Sequence, residues 1–197
     1  MRLLEDLIAT DALKELTSIG AGHAATALSK LLGARRVALA VPYCTGAARI
    51  EQWMAQHDGM AVCFDLFDYE ARIFVVVDAY SAQRVLDVLL REQKVDPEYM
   101  ELPESALMEC GNIAVSAFLD AWAEFLRLRL IPSPPRAMYG TAPSVVAYEA
   151  GSSGDALCVC STFHIQADDI GGHLVLALSE PGAHHLLAAM GVAVTKP

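Results

Sequence analysis

Four polar residues, Ser105, Glu109, Asn112 and Ser116, follow one another at steps of four, three and four, the spacing that puts side chains on one face of a helix. A second set, Asp11, Glu15, Ser18 and Gly22, has the same spacing ninety-four positions earlier. Each set offers a carboxylate with a small polar group one turn further on. Such groups can position a water or meet a cation. On an arbitrary helix they would simply be the solvated side. The run Cys110-Gly111-Asn112 argues otherwise, because a mid-helix Gly and Asn cost about 1 and about 0.6 kcal/mol of propensity relative to Ala. Gly20 and Gly22 weaken the first helix in the same way. A costly feature at the same place twice implies a use.

Two long amphipathic helices must carry these sets. Residues 9 to 33 have apolar side chains at Leu13, Leu16, Ile19, Ala24, Leu28 and Leu31, with Gly33 as a stop. The second helix is predicted from about Glu101 to Leu128. Shorter helices are predicted over 80 to 93 and from Pro181 to Met190. Strands are predicted at Val37 to Val41, Met60 to Asp68, Arg72 to Asp78, Arg129 to Ile131, Leu157 to Gln166 and Gly172 to Leu178. Asp68-Tyr69-Glu70 is the turn of the first hairpin. Ser133 to Ser153, rich in Pro and Gly, reads as mostly loop with one strand at Val145 to Tyr148.

The order long helix, strand, hairpin, shorter helix therefore occurs twice, in halves of about 9–93 and 101–190. The predicted fold is α+β: an internal pseudo-two-fold repeat with two long helices packed on a mostly antiparallel sheet of about six strands. One domain spanning residues 1–197 is expected at this length.

The formal charge of −10 argues against nucleic-acid and anionic-membrane surfaces, which need clustered Lys and Arg. No apolar run approaches the ~20 residues of a membrane span, and Glu5 and Asp6 interrupt the apolar N-terminal stretch, so a cytosolic protein without a cleaved signal is expected. Cys44, Cys63, Cys110, Cys158 and Cys160 form an odd, scattered set and read as reduced, mostly buried thiols. Cys158 and Cys160 would share one face of a strand.

With Ser105, Glu109 and Asn112 in order and Pro135 following Asn112 with 22 residues between, the sequence resembles the CheC, CheX and FliY family of response-regulator phosphatases, and CheC most of all. DALKELTSIGAGHAATALSKLLG in the first half and ESALMECGNIAVSAFLDAWAEFL in the second carry the likeness over nearly the whole chain. The resemblance implies hydrolysis of the aspartyl-phosphate of a CheY-like receiver, with Glu109 and Asn112 as the working pair. Glu109 would meet a Lys of the partner. Asn112 would hold an in-line water, as the Gln of small GTPases does. The partner would bring its own Mg²⁺, and no metal or cofactor is expected on this chain. In the first copy Ser18 replaces the Asn and Pro42 comes one residue late; serine lacks the carboxamide's paired donor and acceptor. Glu15 and Ser18 therefore form a second, weak or silent site. Asp11 and Ser105 are helper positions, Ser105 being equally an exposed N-terminal helix residue. Pro135 shapes the loop.

The same resemblance supplies a rival from another class, a non-catalytic module that docks a CheD-type deamidase or acts at the flagellar switch. The switch form usually carries a further C-terminal domain, and its absence before Pro197 disfavours that form. Gly20-Ala21-Gly22-His23-Ala24-Ala25 fits a dinucleotide fingerprint, but a helical pattern precedes it where a strand is required, and the glycines read instead as letting the two long helices or a partner approach closely. His23, His164 and the His184-His185 pair lack further ligands and read as surface groups. Trp53 and Trp122 read as packing residues, with Trp122 near enough to the site to border a docking surface.

Overall fold

The computed structural model describes residues 2–52, 54, 58–93, 103–151 and 156–193. Trp53, the Asp96-Pro97 break and the predicted start at Glu101 lie outside them. A 3₁₀ turn at Arg2–Leu4 leads into α1 (Leu7–Leu31), whose N-cap Asp6 accepts from the amide of Ala9 at 3.0 Å, as a first turn with free amides requires. Then come β1 (Ala38–Leu39), β2 (Tyr43–Gly46), a 3₁₀ segment (Ala47–Gln52), β3 (Asp58–Leu66), β4 (Ala71–Asp78) and α2 (Ala79–Gln93). The second half runs α3 (Pro103–Leu126), β5 (Arg136–Thr141), α4 (Ala142–Gly151), β6 (Leu157–Ile165), β7 (Ile170–Leu178) and α5 (Glu180–Ala189).

The strands form one seven-stranded sheet ordered β1-β6-β7-β4-β3-β5, with β2 also on β6. Every pairing among the described residues is antiparallel. Read from either edge the order is the same: one edge strand, then a hairpin. Each edge strand pairs with the other half's hairpin, so neither half has a complete sheet alone. The two-fold passes between β4 and β7, where Val75 pairs with Leu174. The hairpin turns match as well. Both close on a 3₁₀ turn ended by a left-handed residue, Glu70 at φ 45° and Asp169 at φ 52°.

Strand alternation divides two cores. Met60, Val62, Phe64 and Leu66 of β3 face α1, α2, α3 and α5, while Ala61 and Cys63 face the 47–52 segment and α4. That is why the strand reads as an unbroken apolar run. The two long helices pack antiparallel, since Leu16 meets Trp122 and, a turn later along α1, Gly20 meets Phe118.

Three expectations are corrected. The stretch predicted as loop with a strand at Val145 to Tyr148 holds β5 and then α4. Val146 and Ala150, four apart and both buried, face the sheet, and this packing overrides the β preference of Val145-Val146. Arg129 to Ile131 is not a strand. Arg127 turns left-handed at φ 54°, Leu130 drops into the core, and Ser133 ties the chain to β3 by donating its amide to Asp65 O and accepting from the Asp65 amide, both at 2.9 Å. Pairing resumes at Arg136. The strand predicted at Val37 to Val41 is only β1, and β2, which was not predicted, follows Pro42 with its register on β6 shifted by one residue between Leu39↔Phe163 and Tyr43↔Cys160, because Pro42 has no amide proton to donate.

An ion cluster ties the first-half helices to the second-half hairpin. Buried Asp168 accepts from Arg35 and, at 3.2 Å, from Arg91, and its carbonyl accepts from Arg84 at 3.0 Å. Burial opposes its charge, but Arg35 and Arg91 outweigh that and hold the carboxyl below its usual range. A carboxyl depressed on folding stabilises above its unfolded pKa, and the contribution is lost as pH falls through the folded one. Asp168→Asn is accordingly expected to lower Tm at pH 7 and to narrow the Tm drop between about pH 5 and pH 3 in a thermal melt series.

Candidate functional site

On α3 the buried face is Leu107, Cys110, Ala114, Val115 and Phe118, which pack into the core. The polar stripe is therefore turned outward: Ser105 and Glu109 are exposed, and Asn112 and Ser116 are half-buried. Among the described residues no hydrogen bond or ion pair engages the side chains of Glu109 or Asn112, and both can be reached from solvent. On α1 the arrangement is repeated. Leu13, Leu16, Thr17, Gly20, Ala21 and Ala24 are buried, while Asp11, Glu15 and Ser18 are exposed. Asp11 is joined to Lys14 at 3.1 Å.

The pseudo-symmetry places the two ridges along antiparallel helices. Leu16 lies beside Trp122 and Gly20 beside Phe118, so Asn112 falls level with Thr26, about 12 Å along the axis from Ser18 at 1.5 Å per residue. The ridges do not converge on one centre.

Two of the mid-helix glycines have a packing explanation, and for Gly20 it is the close approach of the two long helices that the sequence allows. A Cβ on Gly20 would lie 2.6 Å from the Phe118 ring, and one on Gly111 would lie 3.1 Å from Val62. Gly20 lets α1 and α3 close on each other, and Gly111 seats α3 on β3 immediately beside Asn112. Gly22 meets nothing within 4 Å, so the packing reason does not extend to it.

Trp122 is fully buried and borders no docking surface; its Nε1 donates to Leu16 O at 2.7 Å, and its ring lies 4.7 Å from Phe118. Pro135 is half-buried at the entry to β5 and Pro42 buried at the entry to β2, equivalent places where each edge strand begins. The feature missed by sequence reasoning is the flank of the ridge. Tyr139 of β5 donates its hydroxyl to Glu104 in the first turn of α3, and this bond, with some burial, raises the phenol pKa. The strand itself was not predicted, so this neighbour could not be placed.

Among the described residues no group of three His, Cys, Asp or Glu is arranged to hold a metal ion, and no helix is long and apolar enough to cross a membrane. His185 packs against Tyr69 at 4.9 Å, His164 lies 3.7 Å from Asp169, and His23 is exposed. Burial, with Glu109 adding, pushes the Cys110 thiol up to about 12; burial does the same for Cys63 and Cys158 and raises Cys44 to about 11. Cys160 is raised further. A thiol-labelling assay on the native protein at pH 8 should report almost no reaction until denaturant is added.

Comparison with known proteins bears on the same helices. The family model described as the CheC-like family matches residues 8–43 and 102–139, the corresponding segment of each half. A protein named CheY-P phosphatase CheC, from Bacillus subtilis (strain 168), is 28% identical over 164 residues, covering 77% of this chain and 78% of its own. FliY of Thermotoga maritima superposes with a TM-score of 0.69 at 16% identity, over 94% of this chain and 96% of that one. In a CheX-CheY-BeF3-Mg+2 complex from Borrelia burgdorferi, the matched chain has a TM-score of 0.56 at 16% identity, over 83% and 97%.

Proposed function

Because the chain belongs to the CheC-like family, with CheC, CheX and FliY, we propose that it hydrolyses the aspartyl-phosphate of a CheY-type response regulator in chemotaxis, through Glu109 and Asn112. The observation that carries this reading is the outward ridge on α3, where a carboxylate and a carboxamide one turn apart are left unengaged and approachable. The curated relative is itself named for CheY-P phosphatase activity, which supports the same reading.

The receiver brings the phosphorylated aspartate with its Mg²⁺, so the chemistry left for this chain is positioning. Glu109 pairs with a cationic side chain on the receiver and fixes the docking register. Asn112 enters the phosphorylated pocket; its amide oxygen accepts a hydrogen bond from a water, which turns the water's lone pair toward phosphorus in line with the departing aspartate oxygen, and the water's protons leave with the inorganic phosphate. The P–O bond to aspartate breaks as the water oxygen bonds to phosphorus. Ser105 and Asp11 flank the two ridges as helpers.

The test is phosphate release from a phosphorylated CheY-type receiver with and without this chain. Acceleration supports the proposal, and an unchanged rate overturns it. On α1, Ser18→Asn restores the carboxamide on an exposed position and is expected to raise turnover up to about twofold, as a second site adds to the first. The same assay reads that gain. A second reading, docking of a CheD-type deamidase or of the flagellar switch without catalysis, draws on the serine at position 18 of the first ridge. A pull-down with the deamidase at micromolar concentration tests it.

A further inference from the structure

An open groove of about 480 Å³ lies beside the N-terminal end of α3. Its floor is apolar, formed by Met60, Leu86 and Leu107. Its rim carries Asp58, Gln83, Glu104 and Tyr139, and among the described residues that line it there is no Lys, Arg or His. Gly59 and Gly140 pair across β3 and β5, and their missing side chains leave that wall low. Tyr139 is 62% exposed yet its hydroxyl holds the Glu104 carboxylate in place. The N-terminal partial charges of α2 and α3 are already met. Asp78 accepts from the Ser81 amide at 2.6 Å, and Glu104 sits in the first turn of α3. Among the described residues no cation pairs with Asp58, which leaves its negative charge in excess.

We propose that this groove receives a lysine or arginine side chain of the phosphorylated receiver while the receiver sits on the α3 ridge, an inference that rests on the function proposed above. An apolar floor under an acidic rim is complementary to a long alkyl stem with a cationic head. The stem lies along Met60, Leu86 and Leu107, and the head meets Asp58 and Glu104. Ser105 follows Glu104 directly and begins the ridge, so one docked partner spans both. A chain of net charge −10 favours the same kind of partner.

The experiment uses the full chain and a CheY-type receiver in two forms. Affinity is measured on the receiver loaded with beryllofluoride and Mg²⁺, and turnover on the phosphorylated receiver. Asp58→Asn combined with Glu104→Gln should raise both Kd and KM about tenfold at low salt, leave kcat within about twofold, and flatten the salt dependence of binding. Gln83→Lys, an exposed change on the rim, should weaken binding in the same direction by repulsion. Wild-type Kd, KM and salt slope in all these variants would overturn the groove assignment even if Asn112→Ala is inactive. Should Asn112→Ala keep full turnover, the catalytic reading falls, while the Kd values on the loaded receiver still decide the groove.

Discussion

Asn112→Ala is expected to lower phosphate release from a phosphorylated receiver at least about a hundredfold, roughly 2.7 kcal/mol of barrier, with little change in receiver affinity. The loss falls on kcat because the carboxamide is proposed to orient the attacking water, an interaction realised only as the reaction proceeds. Misplacing one reactant by about 1 Å costs this much. Removal of the side chain should not harm the fold. It makes no hydrogen bond among the described residues, and alanine gains about 0.6 kcal/mol of helix propensity over asparagine. Single-turnover phosphate release beside a thermal melt separates the two effects. Unchanged Tm with lost turnover supports the proposal, and full turnover in a folded variant sinks it. Glu109→Ala should act mainly on KM, as a register-fixing contact made before and during the reaction.

The largest stability effect is expected at Trp122. Its side chain is wholly buried in the core, lies tilted against the Phe118 ring and donates to Leu16 O. Trp122→Ala removes a large ring from the crossing of the two long helices, leaves a cavity there and withdraws the bond to Leu16. Such truncations cost about 3–5 kcal/mol, a large part of the stability of an ordinary domain. Urea denaturation should show a lower midpoint with nearly the same slope. An unfolding free energy within about 0.5 kcal/mol of wild type would mean that the helices close without it. Because α1 and α3 each carry a ridge, the variant should also lose turnover on warming before it unfolds.

Much of this architecture was legible in the chain. Helical spacing in 9 to 33 and after Glu101, the two hairpins and the ninety-four-residue repeat follow from local periodicity, which needs only the nearest neighbours to be readable. The ridge was legible for the same reason, since Glu109 and Asn112 are neighbours along one helix. What went astray, besides the short edge strands on either side of Pro42, lies between Arg129 and Gly151. There Val145-Val146 carries a β preference that the burial of Val146 and Ala150 overrules, and β5 exists because β3 has a free edge to pair with. No local signal announces that edge.

The residue order alone determined which side chains share the outer face of α3 and that a matching face recurs on α1, because a helix converts spacing into geometry within a few residues. Tertiary structure alone decided that the halves exchange edge strands, that Gly20 and Gly111 answer to Phe118 and Val62, and that Tyr139 comes to stand against Glu104. Those relations join residues far apart in the chain, and they form only when the whole sheet closes and buries both its faces.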